Sequence, residues 1–121
     1  MKLFFVKPGF KDGLAIQWGV SAGKYDAAER IVISNPIFFY GLSGRTKLLV
    51  DRGQASYMRK YKRKAEGHAP FSPANRKGFF LCAGATRGKR LFDCPVLTVR
   101  YFFDAIDVEY AGEVCFREIE V

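Results

Sequence analysis

A chain of 121 residues that is 49% hydrophobic with five prolines can bury one core, and this composition excludes a disordered polymer. Its formal net charge of +8 suits steering of an anionic ligand, pairing of subunits or simply a solvated face, and no apolar run approaches the length of a membrane span. Cys82, Cys94 and Cys115 are odd in number and lack C-x-x-C spacing, which excludes a disulfide framework and fits buried free thiols in a reducing cytoplasm.

Residues 1–6 read as a strand, and Lys7-Pro8-Gly9-Phe10-Lys11-Asp12-Gly13 as a loop with strong turn chemistry. In residues 14–29, Gly19 and Gly23 interrupt any long helix, which leaves a short one ending at Glu29. Arg30-Ile31-Val32-Ile33-Ser34 is an apolar, β-branched run suited to a buried parallel strand. Asn35-Pro36 breaks it, because proline cannot donate to a ladder and restricts its predecessor. The aromatic loop Ile37-Phe38-Phe39-Tyr40-Gly41 follows, and Ser43 is placed to cap a helix reaching about Lys64.

Residues 65–77 form a Gly/Pro-containing loop that holds His68, the only histidine, without metal-ligand partners at the right spacing. Gly78-Phe79-Phe80-Leu81-Cys82-Ala83 is a second buried strand, ending in the small-residue loop Gly84-Ala85-Thr86-Arg87-Gly88. Asp93 is expected to cap the next helix, with Pro95 in its first turn and Val96, Val99, Phe103 and Ile106 on its core face. Residues 107–110 and 113–116 make a final strand bent at Ala111-Gly112.

In open α/β sheets, ligands bind just outside the carboxyl ends of the strands. Asn35, Pro36, Ile37, Phe38, Phe39, Tyr40 and Gly41 occupy one such end, and Gly84, Ala85, Thr86, Arg87 and Gly88 the other. An aromatic wall suits a flat, conjugated ligand; the competing reading is that Phe38 and Phe39 pack beneath the next helix. Residues 31–43 with Lys47-Leu48-Leu49-Val50-Asp51-Arg52, and later residues 84–92 and 101–105, resemble the flavodoxin-like NAD(P)H-dependent FMN reductases. The iron–sulfur flavoprotein branch looks closest, and the resemblance spans residues 28–117.

That resemblance implies a flavodoxin-like α/β/α three-layer sandwich over residues 1–121, with a mostly parallel sheet reduced to about four strands and an atypical part at 1–29. It implies FMN held between the two loops, with NAD(P)H as electron donor. The twelve loop residues are then cofactor-binding, and no side chain is catalytic, since the flavin carries the chemistry. Thr86 and the loop amides would meet the pyrimidine edge, and Arg87, Lys89 or Arg90 would balance negative charge. Residues 7–13 offer no serine or threonine for a phosphate loop, and no cysteine precedes position 82, so neither a good phosphate anchor nor an iron–sulfur cluster is expected. Homo-oligomers in the cytoplasm, away from membranes, complete the expectation.

Two rivals come from other classes. Residues 57–64 interleave Tyr57, Met58 and Tyr61 with Arg59, Lys60, Lys62, Arg63 and Lys64, as a non-catalytic nucleic-acid-binding module would. No recognised nucleic-acid motif accompanies them, and a basic helix facing an acidic stretch at 104–120 also suits charge steering or subunit pairing. The other rival is a truncated remnant of the flavodoxin fold that binds nothing.

Overall fold

Two parallel strand–helix–strand crossovers, preceded by antiparallel strands, make up the described residues. The computed structural model describes residues 2–6 and 15–16 as backbone, and residues 28–69 and 75–118 with their side chains. Strands β1 (Lys2–Val6), β2 (Ala15–Ile16) and β3 (Arg30–Pro36) come first, then helix α1 (Gly44–Ala65) and β4 (Lys77–Ala83). Helix α2 (Asp93–Ala105) and β5 (Glu109–Phe116) complete the order. The strands form one five-stranded sheet, β2-β1-β3-β4-β5.

The β-branched run of β3 does become a parallel strand, with Ile33 opposite Phe80 of β4, and β5 continues parallel, with Leu81 opposite Val114. The first strand does not follow suit. It runs antiparallel to β3, with Lys2 opposite Ser34 and Val6 opposite Arg30, and antiparallel to β2. The expected mostly parallel sheet of about four strands is therefore corrected to five strands with a parallel set of three. Residues 7–14, which join β1 to β2, are fewer than the roughly dozen that a parallel crossover needs, which accounts for the antiparallel pairing of those two strands. Ala15–Ile16 is a strand; of the short helix expected to end at Glu29, only Ala28 and Glu29 are described, and they are not helical. The rest of that stretch, the turn at 7–13 and part of the loop at 65–77 lie outside the described residues.

Because β3, β4 and β5 advance in one direction, right-handed crossovers put both helices on the same face. Lys60 of α1 accordingly reaches the α2 end, 2.9 Å from Asp107 and 2.7 Å from the Asp104 carbonyl. Among the described residues the sandwich thus has two layers instead of the three expected. On the opposite sheet face Phe79, Val114 and Phe116 are exposed.

The core between sheet and helices contains Ile31, Ile33, Phe80, Val99, Phe102, Phe103 and Ile106. The predicted stripe on α2 is buried there, with Val96 half-buried at its margin. Asp93 is the first helical residue and Phe92 the N-cap, so the acid favours the helix dipole from one position later than expected. Helix α2 ends in a Schellman arrangement, Val108 N–H donating to the Phe103 carbonyl and Asp107 N–H to Asp104, with Asp107 at φ 57°. The final strand is continuous. Its expected bend is a bulge in which Ala111 is the extra residue, since Gly78 faces Tyr110 and Phe79 faces Gly112.

Candidate functional site

Ile37 leaves β3 with its amide still donating to the Ala83 carbonyl at 2.8 Å. Phe38 and Gly41 then exchange two backbone hydrogen bonds, of 3.1 and 2.9 Å, around Phe39 and Tyr40. Those two residues have φ of 48° and 62°. Two positive values in succession define a type I′ turn, which normally takes Asn-Gly. An aromatic residue there costs roughly 1–2 kcal/mol, because its Cβ crowds the following carbonyl. The rings gain little burial in return. Phe39 is fully exposed, Phe38 is 58% exposed and Tyr40 47%. The reading in which Phe38 and Phe39 pack beneath the helix is thereby excluded.

A buried polar cluster holds this strained hairpin. Asn35 Oδ1 accepts from the Ser43 hydroxyl at 2.8 Å and from the Thr46 hydroxyl at 2.5 Å, and the two hydroxyls lie 3.1 Å apart. Ser43 is the N-cap residue of α1, yet its side chain makes no capping bond, because Asn35 claims it. Asn35 itself is buried, so it braces the loop from below. Replacing Asn35 by Ala should cost about 2 kcal/mol, since two buried hydroxyls lose their acceptor. Urea unfolding measures this, and a loss below about 0.5 kcal/mol would show that the hydroxyls satisfy each other.

The second loop divides its residues differently from the expectation. Gly84 donates to the Phe116 carbonyl at 2.9 Å, and a Cβ on it would fall 2.5 Å from the Leu91 side chain. Gly84 therefore faces the core. Gly88 faces the first loop instead, and a Cβ there would collide with the Tyr40 hydroxyl. Ala85, Thr86 and Arg87 are exposed, with Arg87 2.8 Å from Glu118. Of the twelve candidates, then, Tyr40 and Gly88 are brought together. Phe38, Phe39, Ala85 and Thr86 are open to solvent nearby in the two loops, while Asn35, Ile37 and Gly84 are buried supports. Pro36 and Gly41 form the half-buried stem of the hairpin.

Arg117 is a supporting residue that sequence reasoning missed. Its guanidinium donates to the Gly88 carbonyl and lies 4.9 Å from the Phe92 ring centre, so it ties the second loop to the end of β5. The available signal was its standing as the lone base in an acidic stretch.

The basic helix is partly neutralised. Lys47 pairs with Asp51 at 2.5 Å, and Arg63 donates to the Ala69 carbonyl at 2.8 Å. Partial burial works against the Lys60 charge, but hydrogen bonding and attraction from Asp107, then Asp104, outweigh it and raise its pKa. Tyr57 and Tyr61 stack on each other, with ring centres 6.3 Å apart. Between the helices runs an open groove of about 620 Å³, lined by Val50, Gln54, Tyr57, Thr98 and Tyr101. It lies on helix flanks, and the loop motifs gave no hint of it.

His68 is exposed, 3.5 Å from Glu66, and among the described residues no three His, Cys, Asp or Glu side chains gather as a metal site. No helix among them is long and apolar enough to cross a membrane. The chain matches no protein-family model, no curated protein and no solved structure.

Proposed function

We propose that the two loops bind the ring of a flavin and that the protein serves NAD(P)H-dependent electron transfer, as the resemblance to FMN reductases implies. The supporting observation is the hairpin tip, where exposed aromatics are kept in a backbone conformation that costs energy. Such strain persists where surrounding structure enforces it, and it concentrates at ligand clamps. Phe38, Phe39 and Tyr40 offer apolar faces to a conjugated ring. Gly88, without a Cβ, lets the second loop approach Tyr40, and Thr86 and the exposed loop amides are the polar groups for a heteroatom edge. On binding, the flavin would supply hydride acceptance from a nicotinamide; the chain's own residues bind, orient and shield the ring.

The ring fits better than the phosphate does. In the resembling fold a phosphate loop follows the first strand and lies beside the ring loops. Here β1 ends at Val6 opposite Arg30, at the amino end of β3, whereas the hairpin follows its carboxyl end. Ser43, the serine that follows the hairpin, is committed to Asn35. FMN and riboflavin should therefore bind within about tenfold of each other, roughly 1.4 kcal/mol. Reductase activity should depend on added flavin. Fluorescence-quenching titration with both flavins provides the test. An FMN preference of about a hundredfold or more would overturn the ring-only anchor, and no quenching by either would overturn the flavin reading.

Homo-oligomerisation belongs to the same reading, supported by the exposed Phe79, Val114 and Phe116 on the sheet face that carries no helix among the described residues. The flavodoxin-type sandwich is likewise part of this proposal, supported by the parallel β3–β4–β5 unit and its two crossover helices.

A further inference from the structure

The three cysteines are free, and they differ in setting. Cys94 is exposed in the first turn of α2. Cys82 and Cys115 are direct partners on the neighbouring parallel strands β4 and β5. Their side chains point to the same side of the sheet, and the sulfurs are 3.1 Å apart, Cys82 Sγ donating to Cys115 Sγ. A disulfide needs sulfurs about 2.05 Å apart and Cα atoms about 4.4–6.8 Å apart, and adjacent strands about 4.8 Å apart meet the second condition. Closure therefore needs a movement of about 1 Å by the sulfurs, within reach of side-chain torsion adjustment.

We propose that Cys82 and Cys115 form a redox modification site that closes to an intramolecular disulfide when a low-molecular-weight disulfide is the oxidant. Cys115 is half-buried and Cys82 buried, so Cys115 meets the oxidant first. The Cys115 thiolate attacks one sulfur of the small disulfide, whose S–S bond breaks and releases one small thiolate. Cys82, giving up its proton, then attacks Cys115 Sγ and expels the second small thiolate. The two protons lost by the protein end on the two small thiols, so two protein thiols are oxidised and one small disulfide is reduced. Burial, and then the Cys115 hydrogen bond, push the Cys82 thiol well above the usual range, which slows the second step.

The site also has a structural reach. Cys82 is followed by Ala83 and Gly84, which open the second loop, and Cys115 by Phe116 and Arg117, which holds that loop through the Gly88 carbonyl. The bond would join both anchors of one loop. It does not depend on what that loop binds.

The test uses the full chain carrying Cys94→Ser, a change at an exposed position, with circular dichroism confirming the fold. After incubation with oxidised glutathione at equilibrium, thiols are counted by alkylation under denaturing conditions and the protein is mapped by mass spectrometry. Expected are loss of both thiols, a peptide pair joined through Cys82 and Cys115, monomeric mobility without reductant, and reversal by dithiothreitol. In a Cys115→Ser/Cys94→Ser variant, Cys82 should stay reduced. Persistence of both thiols, a stable glutathione adduct on Cys115 without the internal bond, or cross-linked dimers only would each overturn the proposal.

Discussion

Replacing Arg76 by Met is expected to lower stability by about 2–4 kcal/mol, and by Ala by about 4–5 kcal/mol. Arg76 is only 2% exposed and sits where β4 begins. Its Nε donates to the Ala28 carbonyl at 2.7 Å and its guanidinium to the Ile106 carbonyl at 2.5 Å. Its own backbone carbonyl accepts from Glu109 at 3.0 Å. One side chain thus stitches the approach to β3 to the end of α2, while its backbone meets the start of β5. Ile106 follows α2, where the helix dipole places partial negative charge that favours a cation. Methionine fills most of the volume but leaves two buried carbonyls unpaired, at about 1–3 kcal/mol each with some relief from removing a buried charge. Alanine adds a cavity. Against a total of about 5–15 kcal/mol, either loss is large. Chemical denaturation of both variants would measure it. A loss below about 1 kcal/mol for methionine would show that water reaches those carbonyls.

Much of the crossover unit was legible because its signals are local. The β-branched run of β3, the Gly-to-Ala run of β4 and the 3.6-residue stripe on α2 each carry their periodicity in sequence. They fall where the pattern put them, except that β3 runs on through Asn35 and Pro36, which were expected to break it and instead pair with Cys82 and Ala83. The antiparallel β1 was not legible as such. A run such as residues 1–6 reads the same in either direction, and only pairing to β3 decides it. Ser43 had the chemistry of a cap, but Asn35, eight residues earlier, competes for its hydroxyl, and no local rule registers that bond.

The site was half legible for a related reason. Strand ends and small residues indicated both loops, yet Gly84 and Gly88 look alike in sequence and do opposite things. One makes room for Leu91 in the core, and the other makes room for Tyr40 at the surface. Arg76 went unremarked because a buried arginine beside a Gly/Pro-containing loop looks, in one dimension, like any solvated base. The Cys82–Cys115 pair was hidden by separation along the chain, and only strand register brings the two together.

The hairpin offers the sharpest separation of stability from binding. Substituting Phe39→Asn together with Tyr40→Gly supplies the residues a type I′ turn prefers, where the native chain keeps two aromatics at φ 48° and 62°. Neither ring is well buried, so little core packing is lost with them. The double variant should be more stable than the parent by about 1–3 kcal/mol, a gain read directly from the shift in urea midpoint. Its affinity for flavin should fall about tenfold or more, because stacking on an aromatic side chain is worth roughly 1–3 kcal/mol. The two outcomes are independent, which gives each a distinct meaning. A variant that is more stable but binds flavin as tightly as the parent would remove the aromatics from the site and leave their strain without a purpose. A variant that is less stable would show instead that the Tyr40 hydroxyl, resting against Gly88, holds the second loop in place. Gain in stability with loss of binding is the result that a ligand clamp built at the expense of its own backbone must give.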